Sequence, residues 1–162
     1  MMKEDIKVGI ADYKITKSPN NLITLGLGSC VGIAVYDKKS EVGGLSHIML
    51  PYSSQYRKVN KVAKYADLAL PEMIEKLVKN GARKNRLVAK IAGGASMFQF
   101  SDKNPKLNIG QRNIEAVKEI LKDMKIPIKA EDVGGTLGRT MIVDLEKFEV
   151  SIKQIGKGIK NI

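Results

Sequence analysis

Apolar and polar or small residues alternate from Ile6 to Ile15 in the stretch IKVGIADYKI, the period-two pattern of a half-buried strand. Pro19, Asn20 and Asn21 mark a turn after it. A short apolar segment, Leu22 to Leu25, then leads into a glycine-rich loop, and Val31 to Tyr36 reads as a strand of β-branched and aromatic character. The polar run DKKSE predicts a hairpin turn into a further strand, Val42 to Leu50, which Pro51 stops.

Residues 52–61 are polar and without a period, hence a loop. Beyond them the spacing changes to 3.6, because Ala66, Ala69, Leu70, Met73, Ile74, Leu77 and Val78 fall on one helical face. Pro71 is expected to kink that helix or to begin a new one, and Gly81 to stop it. RLVAKIAGGAS has the continuous apolar character of a buried strand and ends in Gly93 and Gly94. A second helix is predicted from about Ile109 to Met124, with Ile114, Val117, Leu121 and Met124 on one side. Alternation around Ile126 to Ala130, the loop DVGGTLGRT and two strands at Met141 to Leu145 and Phe148 to Ile155 follow. The last residues, GKGIKNI, read as a loose end.

Strands, helix, strand, helix and strands, with hairpins among them, argue for an α/β (α+β) layered sandwich. The expectation is a mixed, largely antiparallel sheet carrying two main helices, rather than a doubly wound parallel fold. No repeat, low-complexity segment or interior linker divides the 162 residues. A single domain of that size buries about 70% of the surface its unfolded chain exposes.

Composition is ordinary for a soluble protein, with 43% hydrophobic and 28% charged residues. The opening MMKEDIKVGI lacks the plan of a secretory signal, and no stretch is long enough to span a bilayer. A cytoplasmic protein without membrane insertion is expected. The net charge of +11 favours acidic partners. With three Phe, five Tyr and no Trp, however, the chain lacks the aromatic platform of a nucleic-acid binder, and no nucleic-acid partner is expected.

The chain has one cysteine, Cys30, in ITLGLGSCVGIAVYD, and one histidine, His47, in GGLSHIMLP. One cysteine makes no internal disulfide, and with one histidine it makes no zinc site unless carboxylates complete the shell. Cys30 is thus either a buried structural thiol or a reactive one. As a nucleophile it would be only about 3% thiolate at pH 7 unless its pKa were lowered, and His47 is the one imidazole that could pair with it as an imidazolium. Adjacent antiparallel strands can bring the two side by side. Gly26 and Gly28 let the backbone approach a substrate, so that amides around Gly28, Ser29 and Cys30 could face a developing oxyanion.

Two phosphate-binding patterns are poorly matched. GLGSCVG places its third glycine one position late for a dinucleotide fingerprint and precedes a strand, and no Walker pattern occurs. Ser96, Arg112, Asn113 and Arg139 stand near glycines, suited to lining a groove or to satisfying buried loop backbone. The second role is favoured, since buried amides need partners.

Six short motifs in order, TLGLGSCV, GGLSHIMLP, KYAD, AKIAGGASMF, NIGQRN and EDVGGTLGR, resemble those of the CheD family of chemoreceptor glutamine deamidases, over roughly residues 5–155. The resemblance implies an amidohydrolase that converts glutamine side chains of chemoreceptors to glutamate and releases ammonia through a cysteine thioester, without metal or cofactor. It places the nucleophile on Cys30, the general base on His47 and the third triad member on Thr24. It implies a sandwich fold similar to the catalytic domains of deamidating toxins of the cytotoxic necrotizing factor type. It also implies two protein partners, the chemoreceptors and the CheC phosphatase. A regulatory module that docks on either, with catalysis lost or secondary, is the alternative.

Overall fold

Every residue of Val31–Asp37 and of Val42–Ile48 is buried, which requires both faces of these strands to be covered. The computed structural model, which describes residues 2–96 and 108–162, supplies a sheet on one face and two helices on the other. Met97 and Phe98, which close the AKIAGGASMF motif, lie outside the described residues.

The strands are β1 (Asp5–Lys7), β2 (Asp12–Lys17), β3 (Asn21–Leu27), β4 (Val31–Asp37), β5 (Val42–Ile48), β6 (Val88–Gly93), β7 (Ile128–Val133), β8 (Arg139–Asp144), β9 (Glu149–Gln154) and β10 (Ile159–Asn161). The helices are α1 (Ala66–Lys79) and α2 (Ile109–Asp123). One sheet has the order β1-β3-β8-β9-β10 and the other β2-β5-β4-β6-β7. Pairing is antiparallel except for β1 with β3 and β6 with β7. The mixed, largely antiparallel layered sandwich with two main helices is therefore observed, with the strands divided between two sheets rather than joined in one.

Alternation along β4 sorts its side chains between two cores. Val31, Ile33 and Val35 pack with Leu70, Met73 and Leu77 of α1 and Val117 and Leu121 of α2. Ala34 and Tyr36 point the other way, with Leu22, Leu27, Met141, Val143 and Ile152 of the opposite sheet. Gly32 shares that inner face, where a Cβ would lie 2.8 Å from Met141 Sδ, so the residue must be small for the sheets to meet.

Three expectations are corrected. The stretch from Ile6 to Ile15 is two strands, β1 and β2, one in each sheet, separated by a turn in which Ala11 takes φ 56°. Pro71 sits inside a single helix rather than beginning a new one. The last residues are not loose, since Ile159, Lys160 and Asn161 pair with Lys153, Ile152 and Ser151 of β9. Among the described residues no helix is long and apolar enough to cross a membrane.

Candidate active site

The antiparallel register of β4 and β5 pairs Gly32 with His47 and Val31 with Ile48. Cys30 immediately precedes β4 and packs, half-buried, against the core between the two sheets. His47 belongs to the same layer, because its strand partner Gly32 faces Leu27 and Met141 there. Cys30 thus stands two residues along from the partner of His47. In a regular ladder such diagonal neighbours are roughly 7–8 Å apart.

Thr24 reaches the same layer from the other sheet. Its Oγ1 lies 2.7 Å from the Val8 carbonyl oxygen and 2.6 Å from His47 Nδ1. A carbonyl cannot donate, so the single hydroxyl proton goes to Val8 and Thr24 Oγ1 accepts from His47 Nδ1–H. This assigns the proton of the neutral ring to Nδ1 and leaves the lone pair on Nε2. Thr24 and His47 are both buried, and Nε2 has no hydrogen-bond partner among the described residues. An oriented, unengaged base is what such a relay produces.

Burial at the site favours the uncharged forms of both groups. Burial pushes the Cys30 thiol up from its ordinary value, with its own backbone N–H pulling weakly the other way. Burial also pushes His47 down to about 4. Both effects disfavour charge, so the resting pair is a neutral thiol and a neutral imidazole.

The cysteine loop is anchored at each carbonyl. Ala95 N–H donates to Gly28 O at 2.8 Å, Asn113 Nδ2 to Ser29 O at 3.0 Å and Gly94 N–H to Cys30 O at 2.8 Å. Among the described residues the N–H groups of Ser29 and Cys30 donate to no other residue, and they are free to meet a developing negative charge. Gly93 lies directly behind the loop, at φ 111°, where a Cβ would be 2.3 Å from Cys30 O. Only glycine fits there.

The remaining polar residues differ in their distance from this chemistry. Arg139 is buried and donates from Nε to Asp132 Oδ2 at 3.0 Å, as a bolt between β8 and β7. Arg112 donates to Gln55 Oε1 at 2.6 Å near the surface. Ser96 N–H closes onto Gly135 O at 2.8 Å. Asn113 touches the cysteine loop itself. Sequence reasoning did not weigh the Val8 carbonyl or the amides of Gly94 and Ala95, since backbone groups leave no residue-type signal.

A family model described as CheD chemotactic sensory transduction matches residues 49–154. The chain is 58% identical over 159 residues to a protein of Clostridium botulinum strain Hall named probable chemoreceptor glutamine deamidase CheD, covering 98% of each chain. It is 54% identical, with the same coverage, to the protein of that name from strain Eklund 17B. In fold it is similar to the crystal structure of Bacillus licheniformis hypothetical protein YfiH, with a TM-score of 0.50 and 17% identity over 77% of this chain. The match spans about half of that structure, 51%, and is a likeness of architecture alone.

Proposed function

The chain belongs to the CheD family, and from that premise we propose that it is a cysteine-dependent protein-glutamine deamidase acting on chemoreceptors. The observation that carries the reading is the relay from Val8 O through Thr24 Oγ1 to His47 Nδ1, which leaves Nε2 as a buried base in the layer that holds Cys30.

The steps follow from neutral partners. On substrate binding, rotation of the Cys30 side chain brings Sγ to His47 Nε2, since catalytic hydrogen bonds often close only in the substrate complex. Nε2 takes the thiol proton as Sγ bonds to the carboxamide carbon, and the carbonyl oxygen becomes an oxyanion facing the N–H groups of Ser29 and Cys30. His47 returns the proton to the nitrogen, the C–N bond breaks, and ammonia leaves from a thioester. Water gives a proton to Nε2 and attacks the thioester, glutamate departs, and Sγ recovers the proton. Gly28 serves by turning the chain so that both amides face the substrate. Thr24 keeps the ring in the required tautomer without adding negative charge beside it.

The surplus of basic residues suits an acidic partner surface. Chemoreceptors are the substrates on this reading and CheC the regulatory partner, both met in the cytoplasm. The test is ammonia release from a purified receptor signalling fragment, with wild-type protein and Cys30→Ala compared at matched folding. The variant should release none, and full activity in it would overturn the mechanism.

A further inference from the structure

Three successive peptide groups around Cys30 are held by their carbonyls, and a trans peptide is a rigid plane with its C=O and N–H on opposite sides. Anchoring Gly28 O therefore aims the Ser29 N–H, and anchoring Ser29 O aims the Cys30 N–H. Two of the three anchors are backbone amides, of Gly94 and Ala95. The third is a side chain, Asn113 of α2. The peptide plane that carries the Cys30 N–H is thus set by a residue 83 positions away in the chain.

The same amide does a second thing. The β4–β5 ladder ends at Val31 and Ile48, and Met49 turns off to donate its N–H to Lys64 O. Asn113 Nδ2 sits across the opening, donating to Met49 O at 2.9 Å as well as to Ser29 O at 3.0 Å. One –NH2 group thereby ties the residue before Cys30 to a residue two after His47. Its partners are both carbonyls, so the nitrogen must face them and the oxygen must face away. Asn113 is fully buried on the apolar face of α2, between Gly110 and Val117, and its Oδ1 has no partner among the described residues. A buried acceptor left unpaired is costly. Packing gives no reason to keep it there, whereas the two bonds from Nδ2 do.

We propose that Asn113 is a positioning residue: it aims the Cys30 N–H at the oxyanion and fixes the spacing between the strands that carry Cys30 and His47. This rests on the deamidase reading and adds to it a residue that never touches substrate. Asn113→Asp keeps the shape but replaces the donor with an acceptor that repels both carbonyls. Deamidation builds an oxyanion, while alkylation of Cys30 by iodoacetamide, measured above the thiol pKa, builds none and needs no base.

The variant should lose about 100-fold in kcat, the scale of one oxyanion donor, while KM and the alkylation rate stay near wild type. Unchanged kcat overturns the proposal, as does an equal fall in kcat and in alkylation. If Asn113→Asp does not fold, Asn113→Ser carries the test, because a hydroxyl has one proton and can hold only one of the two carbonyls. It should show the same split in milder form, and its absence overturns the proposal. Wild-type protein is the separate check on the underlying reading. No ammonia release from wild type sinks the deamidase, whereas release by wild type and equally by the Asn113 variants sinks only the role of Asn113.

Discussion

Strand β4 has a polar group at each end, fully buried at Asp37 and half-buried at Cys30, and the two ends are treated in opposite ways. At the far end the fully buried Asp37 accepts from Lys39 N–H, Arg83 N–H and Nε and Nη2 of Arg86, all at 2.9–3.1 Å. Burial pushes its carboxyl up, yet Arg86 and the backbone donors hold it well below the ordinary carboxylate range. At the near end, burial is the largest influence and no charged partner opposes it. The Cys30 thiol is pushed up, His47 is pushed down, and His47 Nε2 and Asn113 Oδ1 find no partner among the described residues. One end is a finished structural joint. The other holds polar groups in reserve, and such departures from full satisfaction are expected where a ligand or a reaction completes the set.

Exchanging one group at each end gives the widest separation. His47→Asn keeps a nitrogen near the Nδ1 position to donate to Thr24 but removes the base. It should cost about 10³-fold in deamidation, or ~4 kcal/mol of transition-state stabilisation, with a smaller change in folding stability. Asp37→Ala should do the reverse, costing ~3 kcal/mol of stability by stranding the Arg86 guanidinium and the Arg83 amide, with deamidation per folded molecule intact. Urea unfolding and ammonia release on both variants measure this. Loss of activity in folded Asp37→Ala, or retention of it in His47→Asn, would erase the contrast between the two ends.

Acid separates the ends along a different axis. The unfolded chain takes up the His47 proton near the ordinary 6.5 and the folded chain only near about 4. Across that window protons therefore favour unfolding, and His47 alone removes up to ~3 kcal/mol of stability as the pH falls through it. The carboxyl of Asp37 is depressed, so its contribution persists through the same window and is lost only as the pH drops through and below its ordinary 3.8. The fall in urea midpoint between neutral pH and pH ~5 should largely disappear in His47→Asn. An identical fall in the variant would mean that the ring is hydrated rather than buried.

How much of this was readable in the sequence depends on what each feature is made of. β4, β5, α1 and α2 are legible because their apolar spacing is regular, and the DKKSE turn sets His47 on the strand beside the one that Cys30 precedes. The division into two sheets is not, since alternation looks the same whichever sheet receives the strand. The turn that splits the first ten-residue pattern is made by Ala11 at φ 56°, without the glycine that announces such a conformation. Strand β10 exists through its pairing with β9, a tertiary decision in a segment preceded by Gly156 and Gly158. At the site, the residue types of the proposed triad are visible through the family resemblance, but the charge state is not, because it depends on the burial of both Cys30 and His47. Asn113 did carry a signal: it is a polar residue on the apolar face shared by Ile114, Val117 and Leu121.

The smallest expected effect tests the link between the two sheets. Thr24→Val is close to isosteric, so the layer between β3 and β5 should keep its packing while both the donor to Val8 O and the acceptor for His47 Nδ1–H disappear. The ring proton then has no reason to stay on Nδ1, and a tautomer protonated at Nε2 cannot accept from Cys30. Losing that one bond is worth about 1–3 kcal/mol, a fall of roughly 5-fold to 150-fold in kcat. Thr24→Ser should restore most of it, because the hydroxyl alone carries both bonds. The two variants should alkylate at Cys30 as fast as wild type above the thiol pKa, where no base is needed. A Thr24→Val protein as fast as wild type would show that the hydroxyl does not govern the ring, and the tie between the sheets would be packing rather than control of the imidazole.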